Sequence, residues 1–500
     1  IGVAMAAVLF VPSILSILQN SRVSEHMNAS EGLVYDTANV LTIIKGLFFA
    51  ADSMKNQSSV MPVNWYSVAA YLPMVGLLLV IVYVWNRKDW ISRLLKVCAV
   101  MAFVPLLNNM FVMFTREYYR RWYYMPVLIM ALASALVLEK RKEFQYKKPV
   151  ITTLVIMVGF VAYMTLYPWN WSNQQKSGIN HSLLFAYQCI VGIGGVVLTY
   201  VLIRYKNKRF MNTMLIAVAL FSGITTMATV FQYRHVSEFS TSEQAYQDIV
   251  KTGASLDADI LPYRYKIYEE YYNRSMAGAL PSRSSFNSTI SPYISDFYEA
   301  LGTHRHVVSP EGPEGTNELL SVGYYVMNHP WPDPVYRQFN NGKQEIYVYH
   351  SDSALPIGFT YDTYMLRSDY DKVPQELKAM AMLKTLVIQD DKESEVSKSL
   401  RKYDPQSDGA YTIDLRKDII SEHSNEVSEN FWYNSTGFGS NITTDSTKYA
   451  FFSVPCNKGW SVKVNGTEES IVNINGLMAV KLQKGHNEIE FSYENMGLIY

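Results

Sequence analysis

The run MNTMLIAVALFSGITTMATVF, residues 211–231, contains no charged side chain. As an α-helix rising about 1.5 Å per residue it is long enough to cross the roughly 30 Å hydrocarbon core of a bilayer. A core helix of a water-soluble domain would carry a polar stripe at 3.6-residue spacing, and this run shows none.

Working outward, seven uncharged windows of this kind fill the first 233 positions: 1–21, 56–86, 97–115, 122–138, 149–175, 177–203 and 210–233. The second contains VAAYLPMVGLLLVIVYVW (68–85). The expected fold over 1–233 is therefore an α-helical polytopic membrane bundle of seven spans. Charge divides with hydropathy. Up to residue 231 there are 20 Lys and Arg against 8 Asp and Glu, and the remainder has 24 against 36.

Basic residues concentrate in three connections, NRKDWISRLLK (86–96), EKRKEFQYKK (139–148) and RYKNKR (204–209), which hold 13 of those 20 cations. Positive charge is retained on the cytoplasmic side, so threading seven spans places loops 22–55, 116–121 and 169–181, and everything after 234, on the exoplasmic face. The expected location is the cell membrane, multi-pass, with membrane lipid as a partner. The chain as a whole balances 44 basic against 44 acidic residues, which gives no reason to expect a nucleic-acid partner. Of three cysteines, Cys98 and Cys189 fall within spans and Cys456 is alone beyond them, so no disulfide is expected within the outer region. The densest histidine group, HRH at 304–306, lacks a spaced second pair, and no metal site is expected.

Residues 234–425 read as an α+β domain. LLSVGYYVM (319–327) and EIYVYH (345–350) have strand composition, and QELKAMAMLKTLVI (375–388) reads as a helix running into a strand. Residues 426–495 read as a jelly-roll-like β-sandwich. KYAFFSVP (448–455), GWSVKVNG (459–466), SIVNINGLMAVKLQKG (470–485) and HNEIEFSY (486–493) alternate between Asn-Gly and Lys-Gly turns. Trp460 is a candidate sugar-stacking platform there, although a Trp at such a strand position is more often core. A further membrane helix is expected to start at 496–500, and with a span already under way at Ile1 the chain reads as an internal fragment.

Five stretches carry a resemblance: FFSVPCNKGWSVKVNG (451–466), INGLMAVKLQKGHNEIEFSY (474–493), SALPIGFTYD (353–362), LLSVGYYVM (319–327) and NNMFVMFTREYYRRWYYMPVL (108–128). Together they resemble the bacterial YfhO-type membrane proteins. One departure is Gly323, where the family usually has a lysine before the aromatic pair. The resemblance implies a GT-C-type glycosyltransferase. Such an enzyme takes sugar from a polyprenyl-phosphate carrier, its donor substrate, and adds it to an exoplasmic envelope polymer such as teichoic acid. No other cofactor is implied.

A lipid-phosphate donor needs cations near the outer leaflet, where guanidinium groups grip phosphate oxygens through paired hydrogen bonds. TREYYRRWYY (115–124) supplies Arg116, Arg120 and Arg121 as donor-phosphate ligands, with Trp122 and Tyr123 beside the lipid. Asn108 and Asn109, polar residues inside an apolar window, are expected to face a cavity or partner helix. The same pattern suits an interfacial aromatic belt with snorkelling arginines. GLVYDTANVLTIIKGLFFA (32–50) reads as an amphipathic helix on the outer surface, with Leu33, Val34, Thr37, Val40, Leu41, Ile44, Leu47 and Phe48 on its apolar face and Arg22 and Lys45 near phosphate.

No catalytic base is assigned. The acid that GT-C enzymes carry in their first exoplasmic loop would precede Ile1. Two alternatives to an enzyme are a membrane-anchored glycan-binding scaffold and a lipid or polymer flippase. Against ion-coupled transport, the ionisable side chains lie outside the apolar cores.

Overall fold

The computed structural model describes residue 15 and residues 32–50, 60–61, 68–112, 114, 120–166, 179, 181–205, 208–234, 246–257, 260–268, 273–283, 285–287, 290–305, 307–330, 337–340 and 345–494. The expected first span (all but Leu15), Arg22, Arg116, loop 169–181 (all but Ile179 and His181) and the apolar stretch 496–500 lie outside them. The described residues form two compact units, one within Ser24–Ser240 and one within Thr241–Tyr500.

In the first unit, four helices are long and apolar enough to cross a membrane: Arg121–Glu139, Lys147–Leu166, Ser182–Arg204 and Phe210–Phe231. The last of these is the least covered by protein. Only 6% of the Phe210–Phe231 window is buried within the chain, so Leu215, Ile216, Leu220 and Ile224 stand exposed. A surface that apolar is costly in water and ordinary against lipid.

Two of the predicted spans take another form. Within window 56–86 the described helix is α2 (Leu78–Asn86), nine residues long, preceded by a turn containing Pro73 and Gly76. Window 97–115 is broken. Helix α3 (Trp90–Phe103) ends before Pro105, Val104 is extended, and α4 (Pro105–Asn109) starts afresh with the proline in its first turn. Proline lacks the N–H a continuous helix needs and pushes the preceding residue out of the helical region. The expected loop 86–96 is largely the start of α3, whose N-cap Asp89 accepts from Ser92 N at 3.0 Å.

The remaining helices are α1 (Thr37–Phe48), α5 (Tyr124–Glu139), α6 (Lys147–Leu166), α7 (Ser182–Arg204) and α8 (Phe210–Arg234). The three basic segments come together. Arg87 pairs with Glu143. Asn86 Nδ2 donates to Gln145 O at 3.1 Å while Gln145 N donates to Asn86 Oδ1 at 3.0 Å. The Arg141 guanidinium lies 3.7 Å from the Phe210 ring centroid, at the start of α8. The described parts of segments 86–96 and 139–148, and Phe210 directly after 204–209, thus share the end of the unit where α5 finishes.

The second unit is β-rich. A four-stranded sheet has the order β1 (Arg264–Ile267), β2 (Val322–Met327), β4 (Glu345–His350), β3 (Arg337–Asn340). The helix-into-strand reading of 375–388 corresponds to α9 (Lys378–Lys384) leading into β7 (Leu386–Ile388), which pairs in parallel with β6 (Thr363–Leu366). The C-terminal strands form two antiparallel sheets. One is ordered β13 (Thr467–Glu469), β12 (Trp460–Val464), β16 (Gly485–Tyr493), β10 (Gly437–Thr444), β9 (Glu429–Asn434). The other is ordered β14 (Ile471–Ile474), β15 (Leu477–Leu482), β11 (Lys448–Pro455), β5 (Phe359–Tyr361), its last strand coming from outside 426–495.

The Asn465-Gly466 and Asn475-Gly476 turns have positive φ at both residues, which matches the twist of the hairpins they close. Strand β11 is buried on both faces, since alternate residues point opposite ways. Ala450 and Phe452 pack between the sheets with Phe438, Val462, Val480 and Phe491. Tyr449 and Phe451 pack the other way, with Phe297, Met380 and Leu383. Arg264, half-buried, donates to Leu320 O and to Ser453 Oγ and O at 2.7–3.0 Å, and the desolvation of its guanidinium lowers its pKa to about 10.

Lys448 begins β11 beneath three carboxylates: Asp362 and Glu426 at 2.8 Å and Asp445 at 3.0 Å. Burial opposes its charge, but these partners win and hold its pKa above the usual lysine range; the Asp445 carboxyl is held low by its hydrogen bonds to Lys448 and Ser446. Lys448→Met should cost about 2 kcal/mol, below the ~3–5 of a fully buried pair because Asp362 and Asp445 face solvent. A shift in thermal unfolding checks this. The depressed Asp445 pKa contributes stability above the unfolded value of about 3.9, lost as pH falls; the raised Lys448 pKa contributes below about 10.4, lost at higher pH. The melting temperature of the wild type should therefore fall below about pH 4, with a smaller fall in Lys448→Met.

Candidate functional site

At the end of α5 remote from the basic segments, Arg120 precedes a 3-10 turn (Arg121–Tyr123) that runs directly into the helix. Sixteen residues of α5 separate the two ends, a rise of about 24 Å. Arg120 is buried, 5% exposed. A guanidinium out of water must be matched by oxygen or aromatic partners. Arg120 Nη2 donates to Asn39 Oδ1 of α1, and the guanidinium lies 5.4 Å from the Tyr35 ring centroid. Asn39 is placed by the cap before it, where Asp36 Oδ1 accepts from Asn39 N at 2.7 Å.

Next to it, Trp122 Nε1 donates to Asn108 Oδ1 at 2.9 Å, and Asn108 Nδ2 donates to Asn109 Oδ1 at 2.7 Å. Both asparagines are fully enclosed. The break at Pro105 puts them on a short separate helix whose last turn faces Trp122. Phe111 stacks on Trp122 at 4.7 Å between centroids, and Tyr123 meets Trp122 edge-on at 4.8 Å. Trp122 and Tyr123 also line a cavity of about 450 Å³ whose wall is almost wholly apolar, including Leu77, Val84, Leu95 and Met130, with Lys96 its one charged residue.

Of the residues expected to act on a lipid phosphate, Arg120, Asn108, Asn109, Trp122 and Tyr123 therefore come together. Arg121 is exposed, and Arg116 lies outside the described residues. Trp460 belongs to the other unit, where its half-buried ring packs edge-on to Phe438 at 5.5 Å and Phe491 at 6.4 Å, in the sandwich core. Among the described residues no three His, Cys, Asp or Glu gather as metal ligands.

Tyr35 and Asn39 are additions that pattern reading missed. The expected apolar face of 32–50 is covered only in part: Leu41 and Phe48 are buried and Leu33 and Val34 exposed, while Asn39, Thr42, Lys45 and Gly46 are buried as well. These four recur at three- and four-residue intervals, and that polar stripe was the available signal. In a membrane bundle a polar stripe marks a helix contact as readily as a wet face. Gly46 permits the approach, since a Cβ there would lie 2.3 Å from Val68. Lys45 Nζ donates to Ala50 O at 2.7 Å, closing the helix C-terminus. At Gly323, a Cβ would lie 2.9 Å from the Tyr263 side chain, so Tyr263 occupies the space a longer residue would enter.

Four apolar helices of spanning length joined to a β-rich unit define a membrane protein with a large folded domain. The family described as "Bacterial membrane protein YfhO" matches residues 1–430 and 412–500, and the chain belongs to that family. Neither the curated proteins nor the solved structures return a match.

Asn108→Leu should leave the Trp122 indole N–H unsatisfied in an apolar setting and cost about 1–3 kcal/mol. Thermal unfolding of the protein in detergent, followed by tryptophan fluorescence, checks it.

Proposed function

We propose that this chain is a membrane glycosyltransferase of the GT-C type. It moves a sugar from a polyprenyl-phosphate carrier to an exoplasmic envelope polymer such as teichoic acid. The observation that carries the reading is the pairing of opposites at the Arg120 end of α5. A buried, oriented guanidinium is followed two and three residues later by Trp122 and Tyr123, which wall an apolar cavity. A phosphate linked to an isoprenoid needs both at once: charge-assisted hydrogen bonds for the head and a dry surface for the chain.

Orientation supports the same reading. The basic segments share the opposite end of the unit, and cations in short loops favour the cytoplasm. In this reading Arg120 stands on the exoplasmic side, where threading seven spans through the uncharged windows also sets everything after 234. In this reading Arg116 and Arg121 supplement Arg120 on phosphate, Asn108 fixes Trp122, and the catalytic acid is not among the residues assigned here.

Arg120→Ala should reduce sugar incorporation into the envelope polymer by about tenfold or more at unchanged protein level, with Arg121→Ala weaker in effect. Envelope sugar content together with immunoblotting reads this out. Unchanged glycosylation in a well-expressed Arg120→Ala, Arg121→Ala double variant would remove the donor-site assignment.

A further inference from the structure

The second unit contains a cavity of about 400 Å³ whose wall holds two cations and no carboxylate. The cations are Arg283, with its side chain 2% exposed, and Arg305, 8% exposed. Ser275, Ser282, Ser285 and Ser309 line the same wall, the Ser282 hydroxyl donating to Tyr265 O at 3.3 Å, and Met276, Leu280, Ile294 and Leu320 make its apolar portion. We infer that this cavity binds the phosphate ester of a small polyol or sugar, with Arg283 and Arg305 on the phosphate and the carbon skeleton against the apolar side.

Three observations favour a built site. First, the backbone bearing Ser282 and Arg283 is pinned. Segment 281–283 is tied to β1 by Tyr265 N to Pro281 O at 2.8 Å and Arg283 N to Tyr265 O at 3.0 Å. Asn273 closes the intervening loop, accepting from Phe286 N at 2.6 Å and donating to Phe286 O at 3.1 Å. Pre-ordered donors lose little entropy on binding.

Second, the field is positive. The acid nearest in charge is Glu311, 3.3 Å from Arg283, and Lys266 shares it at 2.7 Å. Burial works against the Glu311 charge, yet Lys266 and Arg283 hold its carboxyl below the usual range. The wall itself holds two guanidinium groups and no carboxylate; beyond it Glu311 is shared with Lys266, and Glu318 meets Arg416 at 3.6 Å. Third, guanidinium forks with hydroxyl donors suit phosphate oxygens, and the volume falls in the roughly 300–1,000 Å³ range of small-ligand sites, more than a bare oxyanion fills.

The inference does not rest on the Arg120 reading, whose residues lie in the other unit. The test is calorimetric titration of the full chain in detergent with sn-glycerol 3-phosphate, glycerophosphoglycerol, inorganic phosphate and glycerol. Saturable binding of at least one ester, tighter than phosphate, with none for glycerol, is expected. Preference for the monoester identifies a small soluble ester, and preference for the diester a linkage within a polymer. Arg305→Gln should weaken the ester about tenfold or more, and Arg305→Lys less. Should Arg305→Gln fail to fold, the milder Ser309→Ala and Ser282→Ala variants must each weaken binding measurably. Absence of saturable ester binding by the wild type, or wild-type affinity in folded Arg305→Gln or in either serine variant, overturns the proposal.

Discussion

A guanidinium held away from water organises one end of the membrane unit. Arg120 stays buried because Asn39 and Tyr35 meet it, and Asn39 is in place because Asp36 caps the helix that carries it. Each link removes a polar group that would otherwise be stranded among apolar side chains, where an unsatisfied group costs a few kcal/mol. The Asn108–Trp122 bond obeys the same constraint one turn away. Together they join α1, α4 and the start of α5, segments that sequence separates by dozens of residues.

The β-rich unit uses its polar groups differently. Strand β11 is buried on both faces, so it joins the sandwich to the α+β core through alternating side chains. Its ends carry charge: Lys448 gathers three carboxylates, and Arg264 fastens Ser453 to the first sheet. Apolar burial supplies adhesion without direction; these ion pairs and hydrogen bonds add direction, by requiring particular atoms to meet. The arginine-lined cavity lies near β1, with Arg283 on the segment that pairs with it.

Much of the fold was legible. Uncharged windows identify 122–138, 149–175, 177–203 and 210–233 as spanning helices, because the cost of charge in a bilayer empties them of it. Period-two alternation and Asn-Gly turns locate β11, β12 and β16 to within a residue or two and the β14–β15 hairpin as one stretch, but not β9, β10 or β13. Less legible was how windows 56–86 and 97–115 are interrupted: hydropathy counts apolar residues and does not weigh Pro105 or the turn near Pro73. Of the candidate site, Arg120, Trp122 and the asparagine pair were visible as polar or aromatic residues out of keeping with their surroundings. Asn39 and Tyr35 were not, since they come from a distant segment read as an amphipathic helix on the outer surface.

The sequence by itself determined which segments shun water, where strands alternate and where hairpins turn, because these follow from side-chain hydropathy and local backbone preference over a few residues. Only the tertiary structure decided that Asn39 meets Arg120, that Asn108 receives the Trp122 N–H, and that β5 completes a sheet begun ninety residues later. Those pairings depend on which distant groups can satisfy one another once water is excluded, a condition that no local pattern encodes.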